Sequence, residues 1–288
     1  MTLFSINNLN WSHSNSRPLF NRVSIDIPAG TIVSIHGESG CGKTTLVQIL
    51  GMLWDRKIPS GMVSLDLDGS QRDYSSLSSS ERDRYRREKF GFVLQNSYLV
   101  PHLSCLWNMS LPQYLSGVGF SAGAKKAQDI LSGGGYLPTA DPKLLNHLTK
   151  QSSKISQGQR QRFNILRALA NDPSVVFADE PTSNLDENTS LFFYDVLKRW
   201  QIQRDGERAH KSLIVISHIL EHAYEERFLN AQLFIIIRQN REYFHTDSDA
   251  NHSLSNARSH DIQVISRSEV PTLADLKALI HTRASGPR

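Results

Sequence analysis

The segment from residue 31 to residue 50 carries the residues best suited to chemistry. An apolar, β-branched run at 31–35 precedes GESGCGKT at 37–44, which fits the pattern G-x-x-x-x-G-K-[ST], and an apolar helical face follows. Glycines let backbone N–H groups converge on phosphate oxygens, and the N-terminus of the following helix adds a partial positive charge. The pattern therefore predicts a phosphate-binding loop between a strand and a helix.

Two side chains of this loop have specific predicted roles, and a third does not. Lys43 can reach the β- and γ-phosphates of a nucleotide, and the hydroxyl of Thr44 is a suitable ligand for Mg²⁺. Cys41 has no evident base beside it, so we interpret it as a residue that fills the loop rather than as a catalytic thiol. The predicted nucleotide-binding residues of the loop are Gly37, Glu38, Ser39, Gly40, Cys41, Gly42, Lys43, Thr44 and Thr45.

A second candidate site follows a short apolar run at 175–178. This run is typical of a buried strand, and it ends in two carboxylates, Asp179 and Glu180. Ligands of parallel sheets bind at the carboxyl ends of the strands, where a carboxylate can face a metal ion. We predict Asp179 as a metal ligand and Glu180 as the base that orients an attacking water. Without the phosphate-binding loop, a solvated strand end would explain this pair equally well.

Five segments resemble, in order, the motifs of an ABC-type ATPase: GESGCGKTT, FGFVLQ, ISQGQ, VVFADEPTSNLD and VISH. They resemble the Walker A motif, the Q-loop, the signature, the Walker B motif with the D-loop, and the H-loop. The resemblance runs from about residue 3 to about residue 240. It is strongest to the branch that serves lipoprotein extraction and macrolide efflux.

This resemblance implies an ATPase that uses ATP and Mg²⁺. By position, Gln95 matches the Q-loop residue that contacts the Mg²⁺ and the attacking water. His218 matches the H-loop residue that holds the γ-phosphate, and it joins Glu180 and Gln95 as a predicted catalytic residue. The predicted metal ligands are Thr44, Gln95 and Asp179.

The signature motif has two candidate positions, LSGGG at 131–135 and ISQGQ at 155–159. ISQGQ is followed by a good helix that ends near Asp172 and Pro173, and it lies shortly before the Walker B strand. LSGGG is followed by two prolines that cannot continue a helix, so it reads as the glycine-rich end of the preceding helix. We therefore predict that the less regular copy, ISQGQ, is the functional one.

In ABC-type ATPases the signature serves the nucleotide that a second subunit binds. The resemblance thus implies a head-to-tail dimer, in which Asp186 lies at the interface and the signature contributes Ser156, Gly158 and Gln159 to nucleotide binding. Gln157 replaces the first glycine of the family pattern Leu-Ser-Gly-Gly-Gln or Glu. This side chain either adds a donor or hinders closure, and both readings stay open. A homodimer is the expectation, although the sequence does not determine whether the partner is identical.

The adenine-stacking residue is predicted from a segment near the N-terminus. Residues 9–13, LNWSH, alternate as a strand. His13 has the spacing that the family uses for its aromatic platform, whereas Trp11 has the better stacking ring. We place His13 ahead of Trp11.

These motifs require a particular set of elements to position them. The expected fold is α/β: a P-loop NTPase core sheet, an antiparallel β subdomain from the N-terminus and a helical subdomain at about 100–160. We expect the nucleotide-binding domain to span 1–240. Residues 241–288 are expected to form a linker and a C-terminal extension whose role the sequence does not indicate.

The apolar runs and the cysteine count indicate where in the cell the protein works. The apolar run LFIII at 233–237 is far shorter than the roughly 20 residues that span a bilayer, and no signal peptide is evident at the start. Two cysteines fit a reducing compartment. We therefore expect a cytoplasmic subunit, peripheral on the inner membrane, that drives a separate permease in export or extraction. The alternative is a soluble ABC ATPase acting on nucleic acid or ribosomes.

We do not expect nucleic acid as a partner. The net charge of +4 is small, and the arginine-rich segment 78–90 is interleaved with acids. It also lacks a row of aromatic residues that could stack on bases. We interpret it as a solvated helix that begins near Ser80.

Overall fold

The computed structural model describes residues 1–12, 18–54, 58–59, 61–94, 98–133, 135–137, 140–182, 185–202, 211–216, 232–239 and 260–269. The described residues divide into two compact units. Unit 1 contains 1–29, 33–77 and the described residues after 216, and unit 2 contains 30–32 and 78–216. In the described part of the chain, no helix combines the length and the apolar character that a membrane span requires.

Strands and helices are interspersed along the chain, as expected for an α/β protein. The strands are β1 (Thr2–Ser12), β2 (Pro18–Pro28), β3 (Ile32–Gly37), β4 (Val63–Leu65), β5 (Arg72–Asp73), β6 (Phe90–Val93), β7 (Val175–Asp179), β8 (Ser212–Ile216), β9 (Leu233–Gln239) and β10 (His260–Ser266). The helices are α1 (Lys43–Leu50), α2 (Ser79–Glu88), α3 (Cys105–Leu115), α4 (Phe120–Leu131), α5 (Pro142–Leu145), α6 (Gln157–Ala168) and α7 (Glu187–Ile202).

Unit 1 is built on a mixed sheet whose strand order is β5-β4-β1-β2-β10-β9-β3. β1 pairs antiparallel with both β2 and β4, which confirms the antiparallel portion predicted near the N-terminus. β3 pairs parallel with β9, and β9 pairs antiparallel with β10. Residues 260–266, assigned by sequence to an extension beyond the family core, thus form a strand inside this sheet.

A bulge in β1 reconciles its sequence with the period of a strand. Ile6 and Leu9 are both buried although they are three residues apart, whereas side chains on one face of a regular strand recur every two residues. The register against β2 shifts between these two residues, and Asn8 has φ 48. Asparagine tolerates this left-handed conformation better than most residues, so the extra residue keeps both apolar side chains in the core.

Unit 2 contains three parallel strands in the order β8-β7-β6, with helices attached. Residues 175–178 of β7 are fully buried, as the apolar run predicted. Gly91 of β6 has no room for a side chain, because a Cβ there would lie 2.5 Å from the carbonyl oxygen of Ala168 at the end of α6. This contact brings the signature helix directly against the sheet of its own unit.

Helices α3, α4 and α5 and the start of α6 lie in the range 100–160 for which a helical subdomain is predicted. Trp107 of α3 stacks on Phe120 of α4, with 3.7 Å between the ring centroids. The start of α2 differs from the prediction: Ser78, not Ser80, is the N-cap, and it forms a capping box with Glu81. The sequence offers three consecutive serines, and the glutamate three residues after Ser78 decides between them.

A charged cluster around the buried side chain of Lys211 joins three segments of unit 2. Lys211, whose side chain is only 4% exposed, donates from Nζ to Asp172 at 2.6 Å. The hydroxyl of Tyr136 donates to the same oxygen of Asp172, also at 2.6 Å. The Lys211 ammonium lies 5.8 Å from the ring centroids of both Tyr136 and Trp200. The cluster therefore connects the loop between α6 and β7, which contains Asp172, to Lys211, the residue before β8.

Replacing Lys211 with methionine should destabilise the chain. The variant keeps most of the packing against the two rings but leaves the Asp172 carboxylate without its cation, and that carboxylate is 29% exposed. We expect a loss of about 2 kcal/mol in the free energy of unfolding. Chemical denaturation of the purified protein measures it. Lys198→Met, on the exposed face of α7, is the matched control and should change stability by less than about 0.5 kcal/mol; equal effects of the two variants would contradict a stabilising role of the cluster.

Candidate functional site

The predicted phosphate-binding loop is a strand–loop–helix unit whose glycines are required by its geometry. β3 ends at Gly37, and Gly37, Gly40 and Gly42 have φ values of 154, 78 and 102. A Cβ at Gly37 would lie 2.3 Å from the carbonyl oxygen of Ile237 in β9. Because that atom belongs to the backbone of a paired strand, it cannot move aside, so only glycine fits there.

The N-terminus of α1 is left without a side-chain cap. Gly42 occupies the N-cap position and, having no side chain, makes no side-chain cap hydrogen bond. The first N–H groups of a helix lack intrahelical partners, and a bound anion can satisfy them. A Cβ at Gly42 would lie 3.0 Å from the ring of Phe20, so the loop passes close to β2. This arrangement fits the phosphate chain of a nucleotide.

Lys43 lies within the loop that precedes it. Its Nζ donates to the carbonyl oxygens of Gly37 and Glu38, each at 2.9 Å, and the residue is 6% exposed. Thr44, the next residue, is exposed at the start of α1, as are Ser39 and Gly40. The ammonium group and the hydroxyl thus stand at the same end of the helix, with the loop holding the ammonium in place.

Cys41 fills the interior of the loop, as the sequence analysis proposed. The residue is 2% exposed, and its sulfur faces Gly37, where a Cβ would approach it to 2.6 Å. Burial raises the pKa of the Cys41 thiol above its ordinary value, with the nearby Lys43 opposing that effect. Since the thiolate is the reactive form, this environment favours an inert thiol.

The two carboxylates predicted at the end of a buried strand lie where the apolar run placed them. Asp179 is the last residue of β7, and Glu180 follows it directly. The backbone N–H of Glu180 donates to the carbonyl oxygen of Ile216 at 3.1 Å. Glu180 has φ 45, a left-handed conformation that costs free energy for a residue with a side chain. The regular backbone of β7 therefore ends at Asp179, and Glu180 begins a turn.

The signature segment forms the N-terminus of α6. Ser156 is the N-cap: its Oγ accepts a hydrogen bond from the N–H of Gln159, and Gln159 Oε1 accepts one from the N–H of Ser156. The helix ends at Ala168, four residues before Asp172, and Phe163 and Leu166 are buried on its inner side. The prediction that ISQGQ starts a helix is confirmed.

The alternative copy, LSGGG, ends a helix as predicted. α4 stops at Leu131, Ser132 is its exposed C-cap residue, and Gly133 has the left-handed φ of 94 that is common after a helix. A helix C-terminus presents carbonyl groups and a partial negative charge, which is unfavourable for a phosphate. The two serine–glycine segments therefore have opposite electrostatic character.

An open cleft of about 510 Å³ within unit 2 brings the signature and the predicted D-loop residue together. Ser156, Gln157 and Asp186 all line it. Lys143 and Arg162 line it as well, and Arg162 Nη1 forms an ion pair with Asp141 Oδ2 at 3.6 Å. A Cβ at Gly158 would lie 3.1 Å from Thr189 Oγ1 and 3.5 Å from Asp186 Oδ2, so a side chain there would displace the Thr189 hydroxyl by a few tenths of an ångström.

Asp186 is fixed by the start of α7. Its carboxylate accepts from the backbone N–H of Thr189 at 3.0 Å and from the Thr189 hydroxyl at 2.9 Å. These two hydrogen bonds, with a smaller contribution from Arg162, lower the pKa of Asp186. The lowered pKa keeps the exposed carboxylate ionised, and the two hydrogen bonds fix its orientation.

Three predicted site residues, His13, Gln95 and His218, lie outside the described residues. The alternative adenine platform, Trp11, is described and is 6% exposed. Its ring packs against Trp54, with 5.5 Å between the centroids. This burial argues against Trp11 as the residue that stacks on adenine.

Sequence reasoning missed several residues around the signature. Thr189 could have been found, because a helix that starts with aspartate and carries threonine three residues later is a capping pattern. Lys143 gave no local signal. Neither did His147, whose ring nitrogen Nε2 lies 2.8 Å from Gln159 Nε2. It is twelve residues away in sequence, and only the packing of α5 beside α6 brings it there.

The comparison with protein families matches the ABC transporter family over residues 20–183. The chain is 35% identical over 208 residues to a lipoprotein-releasing system ATP-binding protein of Rhodopirellula baltica, covering 72% of this chain and 82% of the relative. It is 38% identical over 203 residues to a macrolide export ATP-binding/permease protein of Syntrophobacter fumaroxidans, covering 70% of this chain. The chain spans 26% of the length of that relative.

Among solved structures, the fold is similar to a dimeric ATP-binding cassette in a post-hydrolysis state bound to ADP and Pi. The TM-score is 0.60 at 25% identity, covering 81% of this chain and 93% of the other. A second dimeric structure, of a bacterial ABC transporter cassette, gives a TM-score of 0.62 at 26% identity, covering 82% and 94%. With the family match and these relatives, the chain belongs to the ABC transporter family and has the fold of its ATP-binding cassettes.

Proposed function

We propose that this chain is the ATP-binding and ATP-hydrolysing subunit of an ABC transporter and that it drives a separate permease in export or extraction of a substrate from the membrane. The observation that carries the proposal is the loop at 37–44, with its required glycines, its uncapped helix N-terminus and the enclosed ammonium of Lys43. A lipoprotein-releasing relative of which this chain covers 82% is named as an ATP-binding protein, without a permease part. That division supports a separate permease.

The loop is proposed to bind the phosphate chain of ATP. Lys43 supplies a charge-assisted hydrogen bond to the phosphates, and the backbone N–H groups of the loop supply neutral ones. Thr44 contributes a hydroxyl and Asp179 a carboxylate, which are the hard oxygen ligands that Mg²⁺ prefers. When bound, Mg²⁺ neutralises charge on the phosphate oxygens. Gln95 remains a proposed further ligand, and His13 the proposed adenine platform.

Glu180 is proposed to orient the water that attacks the γ-phosphate. A carboxylate that is held beyond the strand end by a strained backbone can accept a proton from that water in a fixed position. His218 is proposed to contact the γ-phosphate. These assignments rest on the order of the motifs and on the chemistry of each residue type.

The signature cleft is proposed to receive the nucleotide that a second cassette holds, with Ser156, Gly158, Gln159 and Asp186 contributing. The Ser156 hydroxyl accepts one hydrogen bond from Gln159, so its own proton is available to a phosphate oxygen. Lys143 and Arg162 add positive charge in the same cleft. The proposed assembly is a dimer of two such chains on the cytoplasmic face of the inner membrane, with no nucleic acid.

The partner is tested by purification. A tagged chain isolated from detergent-solubilised cells should bring down an integral membrane protein in a fixed ratio. Ribosomes or nucleic acid in place of a membrane protein would contradict the transport role and would support a soluble ABC ATPase instead.

The catalytic assignment is tested by Glu180→Gln. This variant should bind ATP with unchanged affinity but hydrolyse it at least about a hundredfold more slowly, because the water loses its base while the loop is intact. Calorimetry measures binding and phosphate release measures turnover. Asp129→Asn, at an exposed acid on α4, is the control. Normal turnover by Glu180→Gln would refute the assignment.

The phosphate-binding role of the loop is tested by Lys43→Ala. This variant should weaken ATP binding by at least about tenfold, since a charge-assisted hydrogen bond is lost.

The choice between the two serine–glycine segments is tested by matched substitutions. In the Glu180→Gln background, Ser156→Arg should abolish ATP-dependent dimerisation, because a large cation would occupy the cleft, while ATP binding to the chain's own loop persists. Ser132→Arg lies at an exposed helix end and should change little. Size-exclusion chromatography with ATP distinguishes them. Dimerisation that survives Ser156→Arg but not Ser132→Arg would reverse the assignment.

A further inference from the structure

The signature serine is connected to a histidine through one amide. Gln159 Oε1 accepts a hydrogen bond from the N–H of Ser156 at 3.0 Å, and Gln159 Nε2 lies 2.8 Å from Nε2 of His147. His147 follows α5, on the chain segment that leads to the signature. Both ends of the Gln159 amide are therefore engaged, one by the residue proposed to touch phosphate and the other by an imidazole.

The direction of these hydrogen bonds follows from the donors available. The backbone N–H of Ser156 can only donate, so the oxygen of the Gln159 amide must face it. The NH₂ group of Gln159 then faces His147 and can only donate. His147 Nε2 must therefore be an unprotonated acceptor, which places the proton of the neutral ring on Nδ1.

This tautomer leaves a buried N–H group on Nδ1 without a hydrogen-bond partner among the described residues, which costs free energy. Nδ1 of His147 is buried and has no hydrogen-bond partner within the described part of the chain. A buried polar group without a partner is uncommon, because it loses its interaction with water and gains nothing in return. The ring therefore keeps the hydrogen bond between Nε2 and Gln159, while Nδ1 makes no hydrogen bond within the described residues.

We propose that His147 is a positioning residue for Ser156, acting through Gln159. By accepting from the amide NH₂, it prevents the amide from turning over and presenting a donor to the N–H of Ser156. The capping box then stays closed, and the Ser156 hydroxyl keeps its direction into the cleft. This inference rests on the proposed function of the signature, since the positioned hydroxyl is the one proposed to bind the partner's nucleotide.

A substitution at position 159 distinguishes two roles for His147: orienting the Gln159 amide, or only filling space beside it. An amide has one acceptor end, so its orientation matters, whereas both oxygens of a carboxylate accept. With Gln159→Glu, the N–H of Ser156 finds an acceptor in either orientation and His147 is not needed to choose. A contribution of His147 to packing alone would be the same with glutamine or glutamate at 159.

The test is a double-mutant cycle in the Glu180→Gln background. His147→Leu should weaken ATP-dependent dimerisation by at least about fivefold, which corresponds to the net free energy of one neutral hydrogen bond. The affinity of the chain's own loop for ATP should not change. His147→Gln, which offers an acceptor oxygen, should recover most of the loss. In chains that carry Gln159→Glu, His147→Leu should change dimerisation by less than about twofold. His102→Leu, at an exposed histidine of the same unit, is the matched control.

Equal effects of His147→Leu in the two backgrounds, or failure of His147→Gln to recover dimerisation, would overturn the proposal. A second measurement does not depend on dimerisation. Nitrogen-15 NMR of the full chain, with the His147 signals assigned from their loss in His147→Gln, should show a proton on Nδ1 and none on Nε2. A protonated Nε2 would overturn the proposal even if the chain dimerises. Absence of any ATP-dependent dimer in Glu180→Gln itself would contradict the proposed function, and the NMR result would still support or overturn the contact that the inference requires.

Discussion

The close approach of Gly37 to the carbonyl of Ile237 is the constraint on which the phosphate-binding loop depends. The parallel pairing of β3 with β9 places these two residues opposite each other, so the last residue of β3 has no space for a side chain. The loop can begin its turn only because that residue is glycine. β9 is itself held on its other side by β10, so the loop depends on strands about 200 residues further along the chain.

Two helix N-termini meet the same physical requirement in different ways. Every helix begins with N–H groups that lack intrahelical partners. At α1 a glycine takes the N-cap position and no side chain caps the turn, which leaves that role to a ligand. At α6 a serine and a glutamine close the turn reciprocally, and the group proposed to contact the ligand is the hydroxyl proton of Ser156.

Two unfavourable local features lie beside groups proposed to act. Glu180 adopts a left-handed backbone immediately after β7, and His147 buries a ring nitrogen without a partner among the described residues. Each costs free energy, and each is retained beside a group with a proposed chemical role. The charged cluster of Lys211, Asp172 and Tyr136 lies in none of the proposed sites, and two hydrogen bonds join it at Asp172 Oδ1. Its role is to hold elements together.

The sequence by itself determined the local units: the loop between β3 and α1, the carboxylates after β7, and a helix that starts at ISQGQ but one that ends at LSGGG. These follow from the hydrophobic period, the glycine spacing and the prolines, which act over a few residues. It misplaced the cap of α2 by two residues, because three serines in a row are equally good caps until the position of Glu81 is considered. Only the tertiary structure decided that β10 lies between β2 and β9, that Trp11 is buried against Trp54, and that His147 meets Gln159. Each of these depends on packing between segments distant in sequence, and no local pattern of residue types encodes which distant segment will be the neighbour.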